Sequence, residues 1–102
     1  MAYTTIDKST DNFSTILYTG NNTYPRSLTG FGHQPDFVWF KHRGIAYWHQ
    51  TYDSVRGTGT GGGVLYTNRQ DAQDDTYKVN SFDSDGVTIP SSLGAINDSG
   101  NV

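Results

Sequence analysis

Turn signals interrupt this chain at intervals of about ten residues, and only short extended stretches fit between them. Gly20-Asn21-Asn22, the stretch Phe31–Pro35, Arg43-Gly44, the run Gly57–Gly63, the polar segment Asn68–Thr76 and Asp83-Ser84-Asp85-Gly86 each read as a turn or loop. That rhythm predicts an all-β domain, a small antiparallel β-sandwich of jelly-roll-like character with long polar loops. A helical bundle fails on composition. Leu and Ala occur four times each, Glu is absent, and Gly, Ser, Thr and Asn fill 41 of the 102 positions.

The extended stretches follow from the spaces between the turns. Ser14–Gly20 reads as a strand closed by the Asn21-Asn22 turn. Tyr24–Thr29 is a second, and Pro25 places it at a sheet edge or at a strand start. Asp36–Arg43 carries the strongest signal. Its four consecutive apolar residues, Phe37 to Phe40, predict a central strand covered on both faces, with Phe37 and Trp39 in the core. Ala46–Val55 pairs back against it, and Val64–Thr67 is a short strand. Lys78–Phe82 and Val87–Ile89 flank a hairpin turn in which Gly86 is expected at positive φ. Residues 1–12 read as an extended polar arm and 13–102 as the sandwich; the tail after Pro90 is rich in Ser, Gly and Asn.

Charge and residue inventory exclude several function classes. Ten Asp against seven Lys and Arg give a formal charge of -3, which argues against a general nucleic-acid binder. No apolar run approaches the roughly 18 residues of a membrane span. Without Cys there is no disulfide framework, thiol nucleophile or thiolate zinc site. The first residues lack the charged and apolar blocks of a signal peptide, so export would follow another route. A core is available nonetheless, since 14% of the residues are aromatic and each buried aromatic removes about 150–250 Å² from water. A domain this small gains from assembly with copies of itself or with a partner.

The chemistry-bearing clusters each have a plainer alternative. Gly57–Gly63 lacks the Lys of a phosphate-binding loop and precedes a strand, which makes it a mobile loop. Asp83-Ser84-Asp85-Gly86 starts like a calcium loop but no Glu closes it, so a turn is expected and no metal. Asp71, Asp74 and Asp75 read as a solvated loop. His33, His42 and His49 are spaced by nine and seven, which shares no face within one strand. Ser54 lies near Asp53 and His49 without a nucleophile elbow. Asp53 and Arg56 are expected to form a structural pair that pins the following glycine-rich loop. Tyr47, Trp48, Tyr52, Tyr66 and Tyr77, with neighbouring His, Asn and Gln, suit a carbohydrate-stacking surface; the alternative for such residues is core or subunit interface.

Five motifs in order, AYTTID (Ala2–Asp7), LYTGN (Leu17–Asn21), GFGHQPDFVWFKHR (Gly30–Arg43), YDSVRG (Tyr52–Gly57) and SFDSDGVTI (Ser81–Ile89), resemble a β-sandwich domain that recurs in virion structural and tail fibre proteins of tailed bacteriophages, especially marine and cyanobacterial ones. The resemblance spans nearly the whole chain. It implies that these motifs are framework, a buried strand around Trp39, a braced loop at Asp53 and Arg56, and a hairpin at Asp83, Asp85 and Gly86, with no catalytic residue and no cofactor. Members of that group continue past the Asn-Asp-Ser-Gly region into a final aromatic strand, whereas this chain stops at Val102. It is then a piece of a longer fibre, or a homo-oligomer in which a neighbour supplies the strand. The expectation is a non-enzymatic module of the tail fibre or host-recognition apparatus on the virion exterior. Loops Arg56–Val64 and Asn68–Tyr77 would face outward, with other virion proteins and a host surface glycan as partners. The alternative is a head decoration, or capsid cement, protein whose arm lies across neighbouring capsomers; a glycan depolymerase is the third class.

Overall fold

A computed structural model describes residues 11–59, 61–90 and 94–98. Six strands and one helical turn follow in order: β1 (Arg26–Leu28), β2 (Phe37–Phe40), β3 (Gln50–Asp53), β4 (Leu65–Tyr66), β5 (Ser81–Asp83), β6 (Gly86–Ile89) and α1 (Gly94–Asn97). They form two antiparallel three-stranded sheets, β1-β6-β5 and β2-β3-β4. The fold is the all-β sandwich that the turn rhythm predicts. The bounds of the proposed 1–12 arm fall mostly on residues outside those described. No helix among the described residues is long and apolar enough to cross a membrane.

Register explains how so little regular structure holds a core. In the first sheet β5 and β6 are a hairpin with Asp83 opposite Gly86, and β1 joins across a long sequence separation with Leu28 opposite Val87. In the second, Val38 lies opposite Tyr52, and Gln50 opposite both Phe40 and Tyr66. Because strand side chains alternate faces, each sheet turns one row inward. Leu28, Val87 and Ile89 of one sheet meet Val38, Phe40 and Tyr52 of the other, together with Val64, Val79 and Ile96. Tyr52 is wholly buried and donates its hydroxyl to Gln50 Oε1 at 2.6 Å, so its polar end is satisfied inside the core. Burial pushes the Tyr52 phenol well above its ordinary value.

The outward rows of the two sheets differ in kind. On β1-β6-β5 they are polar and mutually bonded: Ser27 Oγ lies 3.1 Å from Thr88 Oγ1, Thr88 donates to Asp83 Oδ2 at 2.6 Å, and Ser81 donates to Asp83 Oδ1 at 2.7 Å. This is a finished solvent face. On β2-β3-β4 the outward row contains Phe37, Trp39 and Leu65, exposed by 60%, 60% and 38%.

Several sequence expectations are corrected here. Phe37 and Trp39 are not core. β2 is an edge strand that alternates exposed and buried, and no described element covers its outer face. Four apolar residues in a row cannot by themselves say whether a second layer exists. Ser14–Gly20 forms no strand, only an isolated bridge at Thr19, although its exposure still alternates as an extended chain does. Gly86 is not at positive φ, and neither are Ser84 and Asp85 between the strands. Gly is needed there for space: a Cβ would fall inside the contact distance of the Leu28 carbonyl oxygen where β1 crosses. The tail after Pro90 contributes Ile96 to the core and the fully buried Asn97. Asn97 accepts from Arg26 Nη1 at 2.6 Å and from the Asn21 amide at 3.3 Å, and donates to the Thr23 carbonyl at 2.9 Å. One amide side chain thereby ties α1 to the turn before β1.

Gly86→Ala therefore displaces β1 and is expected to cost more than about 2 kcal/mol. Gly59→Ala, which meets open space at an ordinary backbone angle, is expected to stay within about 0.5 kcal/mol. Urea unfolding midpoints of the two variants check the contrast.

Candidate functional site

The loops between strands are held by carboxylates, and this decides which side chains remain for function. Asp53 leads. Its Oδ1 accepts the Arg56 amide at 2.9 Å, and its Oδ2 accepts Arg56 Nε at 2.5 Å. Arg56 Nη1 then donates to the Gly63 carbonyl at 2.8 Å and to Gln73 Oε1 at 2.7 Å. Gln73 passes a hydrogen bond to Asp75 Oδ1 at 2.7 Å, which also accepts the Gly63 amide at 3.2 Å; the Gly61 amide shares both Asp75 oxygens at 3.3 Å. The backbones of Val64 and Asp74 pair in both directions.

The pair expected at Asp53 and Arg56 is present and pins the glycine-rich loop. The second half of that loop is packed, while Thr58 and Gly59 are exposed. Gly62 and Gly63 are buried, and a Cβ at Gly63 would meet the Asp74 carbonyl. The loops Arg56–Val64 and Asn68–Tyr77 form one sutured unit.

A second suture joins the β5–β6 turn to the loop before β2. Asp85 Oδ2 accepts the Gly30 amide at 2.9 Å, Oδ1 accepts the Gly32 amide at 2.7 Å, and the Asp85 carbonyl accepts the Phe31 amide at 3.1 Å. These bonds favour the charged carboxylate. The Arg56 amide and guanidinium hold Asp53 below its ordinary 3.8. Gln73, then the Gly61 and Gly63 amides, do so for Asp75. The Thr88 and Ser81 hydroxyls lower Asp83, and the Gly30 and Gly32 amides lower Asp85.

These commitments account for the clusters weighed in the sequence. Asp83 and Asp85 are spent on hydroxyls and amides. Asp75 clips the loop while staying exposed to solvent, and Asp71, also exposed, pairs with Arg69. The Ser54 hydroxyl donates to Asp36 Oδ1 at 2.9 Å, while Asp53 serves Arg56. His49 packs on Trp39 with ring centroids 5.9 Å apart. His42 is buried, and its Nδ1 accepts the Gly44 and Ile45 amides at 3.1 and 2.9 Å, which assigns the ring hydrogen to Nε2. No group of three or more His, Cys, Asp or Glu placed to hold a metal ion is found among the described residues.

Two features remain that face outward. The first gathers part of the expected aromatic set. Trp48 and Tyr66 meet edge to face at 5.2 Å, and the Arg69 guanidinium lies 3.6 Å over the Trp48 ring. Trp48 is 46% exposed. Tyr52 leaves the set because it is core. Tyr66 and Tyr77 are half-buried and pack against the core. Tyr47 turns to Asp98, donating at 3.2 Å, and the carboxylate beside it raises its phenol above the ordinary value. Arg69 was no candidate in the sequence; only its position just beyond β4 could have brought it to notice.

The second feature is a groove of about 900 Å³ between residues 11–18 and β2. Phe13, Leu17, Phe37 and Trp39 line it, each at least 60% exposed, and its inner wall reaches the core at Leu28 and Phe40. The seam between the two sheets is open there.

A family model matches residues 8–102, nearly the whole chain. The chain belongs to the DUF7483 family, described as a domain of unknown function. No curated protein and no solved structure matches it.

Acid should weaken this domain through its sutures. The native carboxylates of Asp53, Asp75, Asp83 and Asp85 keep their charge to lower pH than in the unfolded chain. Their contribution is complete above the unfolded value near 4 and fades as pH falls through the lower native values. Thermal midpoints should stay level from neutrality to about pH 5, then drop. The Asp85→Ala variant should start lower and drop less. Arg56→Ala, which orphans the buried Gly63 carbonyl, should cost about 2–3 kcal/mol in urea unfolding. Arg56→Lys should recover little, because a point charge cannot serve three acceptors in different directions.

Proposed function

We propose that this chain is a non-enzymatic structural module of a tailed-bacteriophage virion, working in the tail fibre or host-recognition apparatus. The observation that carries the proposal is the apolar groove. Four large side chains at least 60% exposed around one groove form a surface that isolated soluble domains rarely present and that assembly proteins cover with a partner. The ordered motif series from AYTTID to SFDSDGVTI supports the virion assignment by resemblance. A further support is what the side chains weighed for a hydrolytic triad do: Asp53 holds Arg56, Ser54 bonds Asp36, and His49 packs on Trp39.

The host-facing part of the proposal rests on the Trp48–Tyr66–Arg69 ledge. A half-exposed indole next to guanidinium donors offers a flat apolar surface bordered by hydrogen-bond donors, which matches the two faces of a sugar ring. Trp48→Ala and Arg69→Ala should each weaken adsorption to host cells at least tenfold while leaving the circular dichroism spectrum unchanged. Equal adsorption by folded variants would remove the ledge from the proposal.

Copy number per purified virion, measured by quantitative mass spectrometry against the major capsid protein, tests the assignment itself. A low count in a small multiple of three or six supports the tail. A count matching the capsid protein would make the chain a head decoration protein. Absence from purified virions would overturn the assignment.

A further inference from the structure

We propose that the Trp48–Tyr66–Arg69 ledge takes hexuronates, sugars that carry a carboxylate in the plane of the ring. This rests on the reading of the ledge as a glycan surface and adds the chemical class of the glycan.

The Arg69 guanidinium is fixed from two directions. Its carbon lies 3.6 Å from the centroid of the Trp48 ring, a separation it reaches only by lying flat on the indole. Asp71 takes one edge: Arg69 Nε pairs with Oδ2, and Nη2 donates to Oδ1 at 3.2 Å. A guanidinium has five N–H donors and no acceptor, and this pairing uses two of them. The other three, on Nη1 and Nη2, have no partner among the described residues. Trp48, Arg69 and Asp71 are all exposed, so the unspent edge is open to a ligand.

Geometry selects the ligand. Nη1 and Nη2 form a fork, and a carboxylate fills both prongs at once through two parallel charge-assisted bonds. The fork lies in a layer 3.6 Å above the indole, which is also the height at which a sugar ring in van der Waals contact with the rest of that indole settles. In a glucuronate or galacturonate chair the carboxylate is equatorial and lies in the same layer. One ligand then stacks on Trp48 and docks its carboxylate in the fork. An α-linked sialic acid carries its carboxylate axially, out of the layer, and misses it. Asp71 holds the guanidinium in place before any ligand arrives, which spares part of the ordering cost of binding. The two carboxylates sit on different edges of one cation at the surface, where water screens their repulsion.

Titration of the isotope-labelled full chain with trigalacturonate, followed by NMR, tests the inference. The indole N–H of Trp48 and the Arg69 Nε–H should shift, while the indole of Trp39, which packs on His49 instead, should stay in place. The dissociation constant should be at least tenfold lower than for the methyl-esterified trisaccharide, which keeps the rings and hydroxyls and loses the charge. Sialyllactose should bind no better than the ester. Arg69→Lys keeps a charge without the fork and should bring the acid to the ester's constant, with the remaining spectrum unchanged. Equal binding of acid and ester, tighter binding of sialyllactose, or a Lys variant that keeps the preference would overturn the inference. Failure of trigalacturonate to bind would overturn it too. In that case a loss of host adsorption by Trp48→Ala would still uphold the glycan reading of the ledge, and unchanged adsorption would remove that reading as well.

Discussion

Carboxylate-to-amide hydrogen bonds hold the loops of this domain, and most of the domain is loop. Its strands are two to four residues long, too short to set the path of the segments between them. Asp85 grips the Gly30 and Gly32 amides, and Asp75 grips those of Gly61 and Gly63. Asp53 orients Arg56, which reaches across to Gly63 and Gln73. The glycines let backbone approach backbone closely enough for such bonds, and the carboxylates supply acceptors at the points of approach. The absence of Glu fits this physics. An Asp side chain holds an amide with few rotors to immobilise, while a longer chain loses more entropy for the same bond.

That construction has a consequence for function. A frame held at its loops leaves sheet faces free to differ. One outward face is closed by hydroxyls bonded to Asp83, and the other carries Phe37, Trp39 and Leu65. Beside it the seam between the sheets stays open as the groove under Phe13 and Leu17. On the proposed function, the polar face lies in water and the apolar face meets a partner. The proposed virion assignment addresses that exposed face.

Much of the frame was legible in the sequence. Turn chemistry located β1, β2, β3 and the β5–β6 hairpin, because Gly, Pro and Asp act locally. The Asp53–Arg56 brace was legible for the same reason, its partners lying three residues apart. What stayed hidden depends on distant segments. The exposure of Phe37 and Trp39, the burial of Tyr52 and the reach of Asp85 to Gly30 are set by which strands meet across the fold. Asn97 is the sharpest case: a polar tail residue became a buried hub because α1 docks beside the turn before β1. Of the aromatic set, only the pairing of Trp48 with Tyr66 survives as a surface feature, and its Arg69 partner needed the structure to be seen.

The most direct test of the suture account is an NMR pH titration that follows the amide protons of Gly30, Gly32, Gly61 and Gly63. Each should shift with the carboxyl it bonds, Asp85 for the first pair and Asp75 for the second, at midpoints below the ordinary carboxyl value of 3.8. Amides that stay put while those carboxyls titrate, or that move at the ordinary value, would contradict it.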